Sequence, residues 1–310
     1  MIFTNQTMQN IIPILQKVLQ EKDIISFCVL NPDEADVYAG NIININNTNY
    51  IYRGFKSYVD LAELLKCKML MPKEGEYPLI KLTFKKLETD SSFHKNTAVE
   101  KEEKYGVTST FFDIYKMEEP AFLYYYEEAL KNVTLEKRKR ILDLGVNRGD
   151  ELEVIKNMLD INKYKEIDFL GVDHSQSAVE YANSVFTETN SKFISEDINN
   201  LDSLNLGEFD LLISIGTLQS PSINFKPFFM NLVQNYLKKD SAIILGFPNS
   251  RWLGGEMIYG AKAPNYEMNE MSLLLNDIIF CKKYLQQKKY RVTITGKQYL
   301  FLTATKIGVL

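Results

Sequence analysis

Apolar and polar residues follow two different rhythms along this chain. Near the N-terminus Ile11, Ile12, Leu15, Val18 and Leu19 recur at helical spacing, which predicts an amphipathic helix. Phe27 to Leu30 is a short apolar run of strand character. Ile42 to Ile45 and Tyr50 to Tyr52 flank Asn46-Asn47-Thr48-Asn49, the pattern of a hairpin with an asparagine-rich turn. Val59 to Met69 reads as a helix whose Leu61, Leu64, Leu65 and Lys68 build one face. Leu79 to Phe84 alternates with lysines as a further strand. Together these predict a small α+β domain. Thr89 to Lys104 is polar and charged and reads as a linker.

Beyond it the rhythm changes. Tyr105 to Leu130 reads as helical and is rich in aromatics. Strand-length apolar runs then recur at Ile141-Leu142, Ile167 to Val172, Phe193-Ile194, Phe209 to Ile215 and Ala242 to Phe247. Helical patterns lie between them, such as Leu152, Ile155 and Leu159. Strands alternating with helices predict an α/β fold with a parallel sheet. Arg291 to Thr295 and Tyr299 to Thr305 are joined only by a short turn around Gly296-Lys297, which permits an antiparallel pair alone.

The chemistry concentrates where the first of these strands ends. Asp143 to Gly149 reads Asp-Leu-Gly-Val-Asn-Arg-Gly, a glycine-bearing turn between a strand and a helix. Such a turn lets backbone approach a ligand closely, and the helix behind it offers free N–H groups. The next strand ends in Asp173, and a carboxylate at a strand tip suits a ribose diol.

These residues resemble the class I S-adenosylmethionine (SAM) dependent methyltransferases, over roughly Tyr105 to the C-terminus. In that family the first strand ends in an acid followed by Gly-x-Gly-x-Gly, and the second strand ends in Asp or Glu. Here Asn147 replaces the middle glycine, and Asn tolerates positive φ. The resemblance implies a seven-stranded Rossmann-like sheet with an antiparallel last strand, preceded by the small α+β domain. It places an accessory domain and linker at 1–100 and the methyltransferase domain at 101–310. It also implies SAM as the cofactor, with Asp143, Gly145, Val146, Asn147 and Gly149 at the amino acid end. Asp173 and His174 would lie at the ribose and adenine edge, Asp197 and Ile198 at the adenine, and Ser214, Ile215 and Gly216 beneath the methionine moiety. The helices before the first strand would cover the cofactor. A dinucleotide fingerprint, Gly-x-Gly-x-x-Gly, is absent, which argues against a dehydrogenase.

The acceptor side rests on the stretch after the fifth strand. Gly246 to Gly260 reads as a long loop combining Arg, Trp, Glu, Asn and Tyr. Asn249, Arg251 and Trp252 are the substrate-binding candidates; Glu256 and Tyr259 are the candidate bases. Ser-Ile-Gly-Thr follows the fourth strand instead of Asn-Pro-Pro-Tyr, against the subclasses that methylate adenine or glutamine amides.

Composition narrows this further. A chain of 310 residues, 45% hydrophobic and 25% charged, suits a folded protein of one large or two modest domains. A net charge of −4 gives no global argument for a polyanion partner. The 3 cysteines, Cys28, Cys67 and Cys281, show neither metal spacing nor a disulfide framework, the usage of a reducing cytoplasm. No run reaches membrane-spanning length and no metal is expected. The expectation is a cytoplasmic SAM-dependent methyltransferase acting on a small-molecule acceptor, of unknown oligomeric state. The competing readings are an RNA or protein methyltransferase that docks its substrate through the N-terminal domain, and a non-catalytic SAM-binding module.

Overall fold

A computed structural model of the chain describes residues 1–88, 101–261 and 269–308. The chain forms two compact units, Met1–Ser92 with Trp252–Ile258, and Phe93–Arg251 with Tyr259–Leu310.

In the first unit, α1 (Met8–Glu21) is followed by β1 (Ile24–Leu30) and a hairpin of β2 (Ile42–Ile45) and β3 (Thr48–Ile51). Asn46 and Asn47 turn that hairpin at φ +52° and +61°, which asparagine tolerates. Next come α2 (Phe55–Leu64), β4 (Cys67–Glu74) and β5 (Leu79–Lys86). The antiparallel sheet runs β1-β5-β4. Its inward face buries Ile25, Phe27, Val29, Leu82 and Phe84 against Ile11 and Leu15 of α1 and Tyr58 and Leu61 of α2. Phe27 and Phe84 meet edge-to-face at 5.0 Å. The helix expected over Val59 to Met69 is displaced: it starts at Phe55 and ends at Leu64, and Met69 lies in β4. Lys66 at φ +54° reverses the chain between them, leaving Leu64 59% exposed.

The second unit begins with turns rather than the helix expected over Tyr105 to Leu130. Short 3-10 turns cover Lys101–Tyr105 and Lys116–Glu118, and the helix α3 is confined to Pro120–Asn132, opening on a proline suited to its first turn. The expected linker, Thr89 to Lys104, lies outside the described residues as far as residue 100.

Then follow β6 (Arg140–Leu144), α4 (Asp150–Met158), α5 (Ile161–Lys165), β7 (Asp168–Asp173), α6 (Gln176–Val185) and β8 (Ser191–Ser195). The chain continues through β9 (Phe209–Ile215), α7 (Phe225–Asn235) and β10 (Leu237–Pro248). It ends with the strands β11 (Ser250–Leu253) and β12 (Glu256–Tyr259), α8 (Ser272–Gln287), β13 (Tyr290–Gly296) and β14 (Tyr299–Lys306). The seven-stranded sheet has the order β13-β14-β10-β9-β6-β7-β8. β14 is antiparallel to both neighbours, while β10, β9, β6, β7 and β8 are parallel. This is the sheet expected from the sequence. Every residue of β9 is buried, as a central strand covered on both faces requires. Phe122 and Tyr126 of α3 cover Phe301 on one face; Phe229 of α7 and Ile278, Cys281 and Leu285 of α8 fill the other.

The stretch after β10 is a hairpin, not the long loop expected. β11 and β12 pair through Gly254 and Gly255 at φ +56° and +82°. Leu253 and Ile258 pack with Leu87, and Glu256 pairs with Lys68 at 3.2 Å, so its tip completes the first unit.

Candidate active site

Parallel strands present their C-terminal ends along one edge, so Leu144, Asp173, Ser195, Ile215 and Pro248 emerge together. The turn after β6 takes positive φ at Gly145 (+79°), Asn147 (+45°) and Gly149 (+88°). Asn147 thus does the conformational work of the middle glycine. A Cβ at Gly145 would come within 1.9 Å of Thr217 Oγ1, and one at Gly149 within 2.6 Å of the Phe186 ring. The glycines admit these two side chains against the turn. Val146 is buried and packs over Gly171 of β7.

Asp173 organises the site. Its carboxylate accepts the N–H of Asn147 at 2.9 Å and that of Ser175 at 3.0 Å, and lies 3.5 Å from His174 Nδ1. Asn147 donates to Oδ2 and Ser175 to Oδ1, so both carboxylate oxygens are held by backbone. Burial pushes its pKa up, against the N–H groups of Ser175, His174 and Asn147 and the His174 ring. Asp143 is 1% exposed, and its Oδ2 is buried without a hydrogen-bond partner. Burial, followed by Glu151 and Asp173, raises its carboxyl far above the usual range, and Lys116 opposes the shift.

The segment from Glu103 to Lys116 lies over this turn. Asn147 Nδ2 donates to the Tyr105 carbonyl at 2.8 Å, and the Tyr105 ring meets His174 edge-on at 6.0 Å. Glu103 accepts from the Ser177 N–H and from the hydroxyls of Ser175 and Ser177 at the start of α6. Arg148 donates to the Phe112 carbonyl and lies 5.1 to 5.6 Å from the ring centroids of Phe112, Tyr115 and Tyr181. The Arg148 ion pair with Asp150 spans 3.0 Å, and the Tyr115 hydroxyl donates to Glu153 at 2.6 Å.

Three residues missed in the sequence belong here: Lys116, Glu151 and Tyr299. Glu151, 8% exposed, is pushed up to about 7 by burial, with Lys116 pulling the other way and Asp150 adding to the rise. Burial pulls the Lys116 ammonium down, but Tyr299, Glu151 and Asp150 raise it further, so the side chain stays charged. Its Nζ lies 5.2 Å from the Phe111 ring centroid and 5.5 Å from that of Tyr299. Nothing in residue order links Lys116 with Tyr299; only folding brings them together.

The remaining candidates are placed as follows. Asp197 is exposed and accepts the Asn199 N–H at 2.9 Å, capping a 3-10 turn, while Ile198 is buried in the core. Ser214 is buried and donates to the Leu144 carbonyl at 3.1 Å, tying β9 to β6. Ile215 is buried beside it, and Gly216 at φ +76° leaves the strand next to Pro248 and Tyr299. Asn249 is buried in backbone bonds: its N–H donates to Gln298, its carbonyl accepts from Gly260, and its amide donates to Lys297. Arg251 donates to Asn269 at 2.6 Å, and Tyr259 is 44% exposed with its hydroxyl 3.9 Å from Met271 Sδ. Trp252 and Glu256 lie in the hairpin tip, within the first unit. Asp210, at the start of β9, accepts the N–H groups of Lys139 and Arg140. Among the described residues no group of His, Cys, Asp and Glu is placed to hold a metal ion, and no helix is long and apolar enough to cross a membrane.

Comparison with known proteins adds the following. No curated protein sequence matches the chain. Among solved structures, the plantazolicin methyltransferase BpumL, in complex with a monoazolic desmethylPZN analog and SAH, is 15% identical with a TM-score of 0.44. The match covers 62% of this chain and 86% of BpumL. A SAM dependent methyltransferase from Aquifex aeolicus is 15% identical with a TM-score of 0.45, over 67% of this chain and 100% of its own. The family model described as a methyltransferase domain matches residues 135–294, just over half of the 310. The chain therefore belongs to the methyltransferase domain family, a Rossmann-like methyltransferase as its strand-end acids led us to expect.

Proposed function

We propose that this protein transfers a methyl group from SAM to a small-molecule acceptor. The observation that carries the reading is the pair of acids, Asp143 and Asp173, at the ends of adjacent parallel strands around a turn of positive φ. The residues present fit the cofactor. Asp173, a carboxylate at a strand tip, suits a ribose diol, and the unpartnered Oδ2 of Asp143 suits an ammonium group. When bound, the cofactor supplies an electrophilic methyl group on a sulfonium. The protein would position and shield it, with the segment that holds Tyr105 and Phe112 lying over the turn after β6. Val146, Asn147, His174, Asp197, Ile198 and the Ser214 to Gly216 backbone line the cofactor in this reading.

For the acceptor, Asn249 and Arg251 are proposed as binding residues, with Tyr259 as base. Calorimetry of the full chain with SAM and with its demethylated product tests the cofactor assignment; absence of binding to both would sink it. On this reading Arg251→Ala and Tyr259→Phe lower turnover and leave SAM affinity within about twofold, since they touch the acceptor alone. Loss of cofactor affinity in both variants would remove them from the acceptor side.

One observation favours a second reading, a nucleic-acid acceptor. β4 and β5 set Lys73 opposite Lys81. Like charges across a ladder cost stability that a polyanion would offset. A gel-shift assay with single-stranded RNA decides between the two.

A further inference from the structure

Three carboxylates meet at the strand ends: Asp143 on β6, Glu151 on α4 and Asp173 on β7, at 1%, 8% and 5% exposure. They influence one another electrostatically, and Asp150 adds a fourth negative group. The neighbouring elements bring little positive charge. α3 contributes the phenol of Tyr126, whose hydroxyl donates to the Glu151 carbonyl at 3.3 Å. β14 contributes Tyr299. Arg148 is committed to Asp150 and to its aromatic cage, and His174 to Asp173. Lys116 is left as the ammonium that opposes both Asp143 and Glu151. One acid remains unanswered even so: Asp143 Oδ2 is fully buried and bonds to nothing.

Charges held away from water interact over several ångströms far more strongly than exposed ones. A pocket with more buried acid than base therefore discriminates ligands by net charge. Methyl transfer changes that charge, because the cofactor's sulfonium becomes a neutral thioether.

We propose that Glu151 and Lys116 set the charge selectivity of the cofactor pocket, Glu151 with Asp143 favouring the cationic sulfonium and Lys116 opposing it. Glu151 and Asp143 make the pocket favour substrate cofactor over spent cofactor, and Lys116 limits that preference. Entry of a positive ligand also drives the buried carboxyls towards their ionised forms, so binding releases protons. This inference rests on the cofactor reading above.

Isothermal titration calorimetry of the full chain with SAM and with S-adenosylhomocysteine tests it. At pH 8.5, above the value of about 7 to which burial raises Glu151, Glu151→Gln should reduce the ratio of the SAM affinity to the S-adenosylhomocysteine affinity by on the order of tenfold, the effect of about 1.4 kcal/mol. Lys116→Met should increase that ratio, and Lys116→Arg, which keeps the charge, should leave it as in the wild type. Wild-type protein titrated at pH 7 in buffers of different ionisation enthalpy should release more protons with SAM than with S-adenosylhomocysteine. That arm needs no substitution and stands if a variant fails to fold. A merely structural pair would shift both affinities equally and leave proton release the same for both ligands; either result overturns the inference alone. If the wild type binds neither ligand, the cofactor reading falls and this inference with it.

Discussion

The carboxylate of Asp173 accepts the Asn147 N–H at 2.9 Å, so the acid that ends β7 also clamps the turn that follows β6. Holding Asn147 at φ +45° costs energy that this bond offsets. Cofactor recognition and loop geometry are therefore coupled through one side chain.

Asp173→Ala should consequently do two things. Removing a charge-assisted contact to a diol should weaken SAM binding by roughly ten- to a hundredfold. Freeing the turn should also lower the melting temperature of the protein alone. Calorimetry and a thermal melt check these separately, and unchanged SAM affinity would refute the assignment of Asp173.

Glu151 gives a pH dependence with a defined sign. Burial raises its folded-state pKa to about 7. Between the ordinary carboxylate range and that value the folded protein holds a proton the unfolded chain has lost. Its contribution is thus fully present in acid and is lost as pH rises towards 7, by on the order of 3 kcal/mol. Asp150, raised to about 6, adds a change of the same sign. Melting temperatures of wild type and Glu151→Gln measured from pH 4.5 to 8 should diverge, with the variant, which cannot ionise there, gaining on the wild type as pH rises. Parallel curves would show that Glu151 is not held protonated.

At Gly145 both backbone and space restrict the residue. The φ of +79° disfavours a side chain, and an added Cβ would lie 1.9 Å from Thr217 Oγ1. Gly145→Ala should destabilise the protein by about 1–3 kcal/mol and impair cofactor binding. A chemical denaturation curve with an unshifted midpoint would contradict this.

The hairpin tip makes a prediction about truncation. A fragment beginning at residue 101 loses Leu87 and leaves Leu253 and Ile258 without it. We expect that fragment to self-associate on size exclusion, and the same fragment with residues 252–258 replaced by Asn-Gly to run as a smaller species that still binds SAM. Identical elution of the two would show that the tip needs no cover.

The sequence made the sheet legible because strands buried on both faces leave long apolar runs, as Phe209 to Ile215 does. Asp143 and Asp173 were legible because strand tips follow from those runs. Lys116, Glu103 and Glu151 were not. Each acts on residues brought close by tertiary folding, as when Glu103 meets Ser177, and nothing in local spacing records that. The hairpin after β10 had a signal that was passed over, Gly254-Gly255 between strand-like residues. The displaced α2 reflects Lys66, whose positive φ carries no mark in residue type.

The contribution of Trp252–Ile258 to the first unit also sets an order of events during synthesis. The N-terminal segment leaves the ribosome early, yet Leu87 and Lys68 must wait for Leu253, Ile258 and Glu256 to be made. At about 5–20 residues per second that wait is on the order of ten seconds. During it the nascent chain exposes an unfinished surface, and the unit made first is completed only after most of the second has emerged.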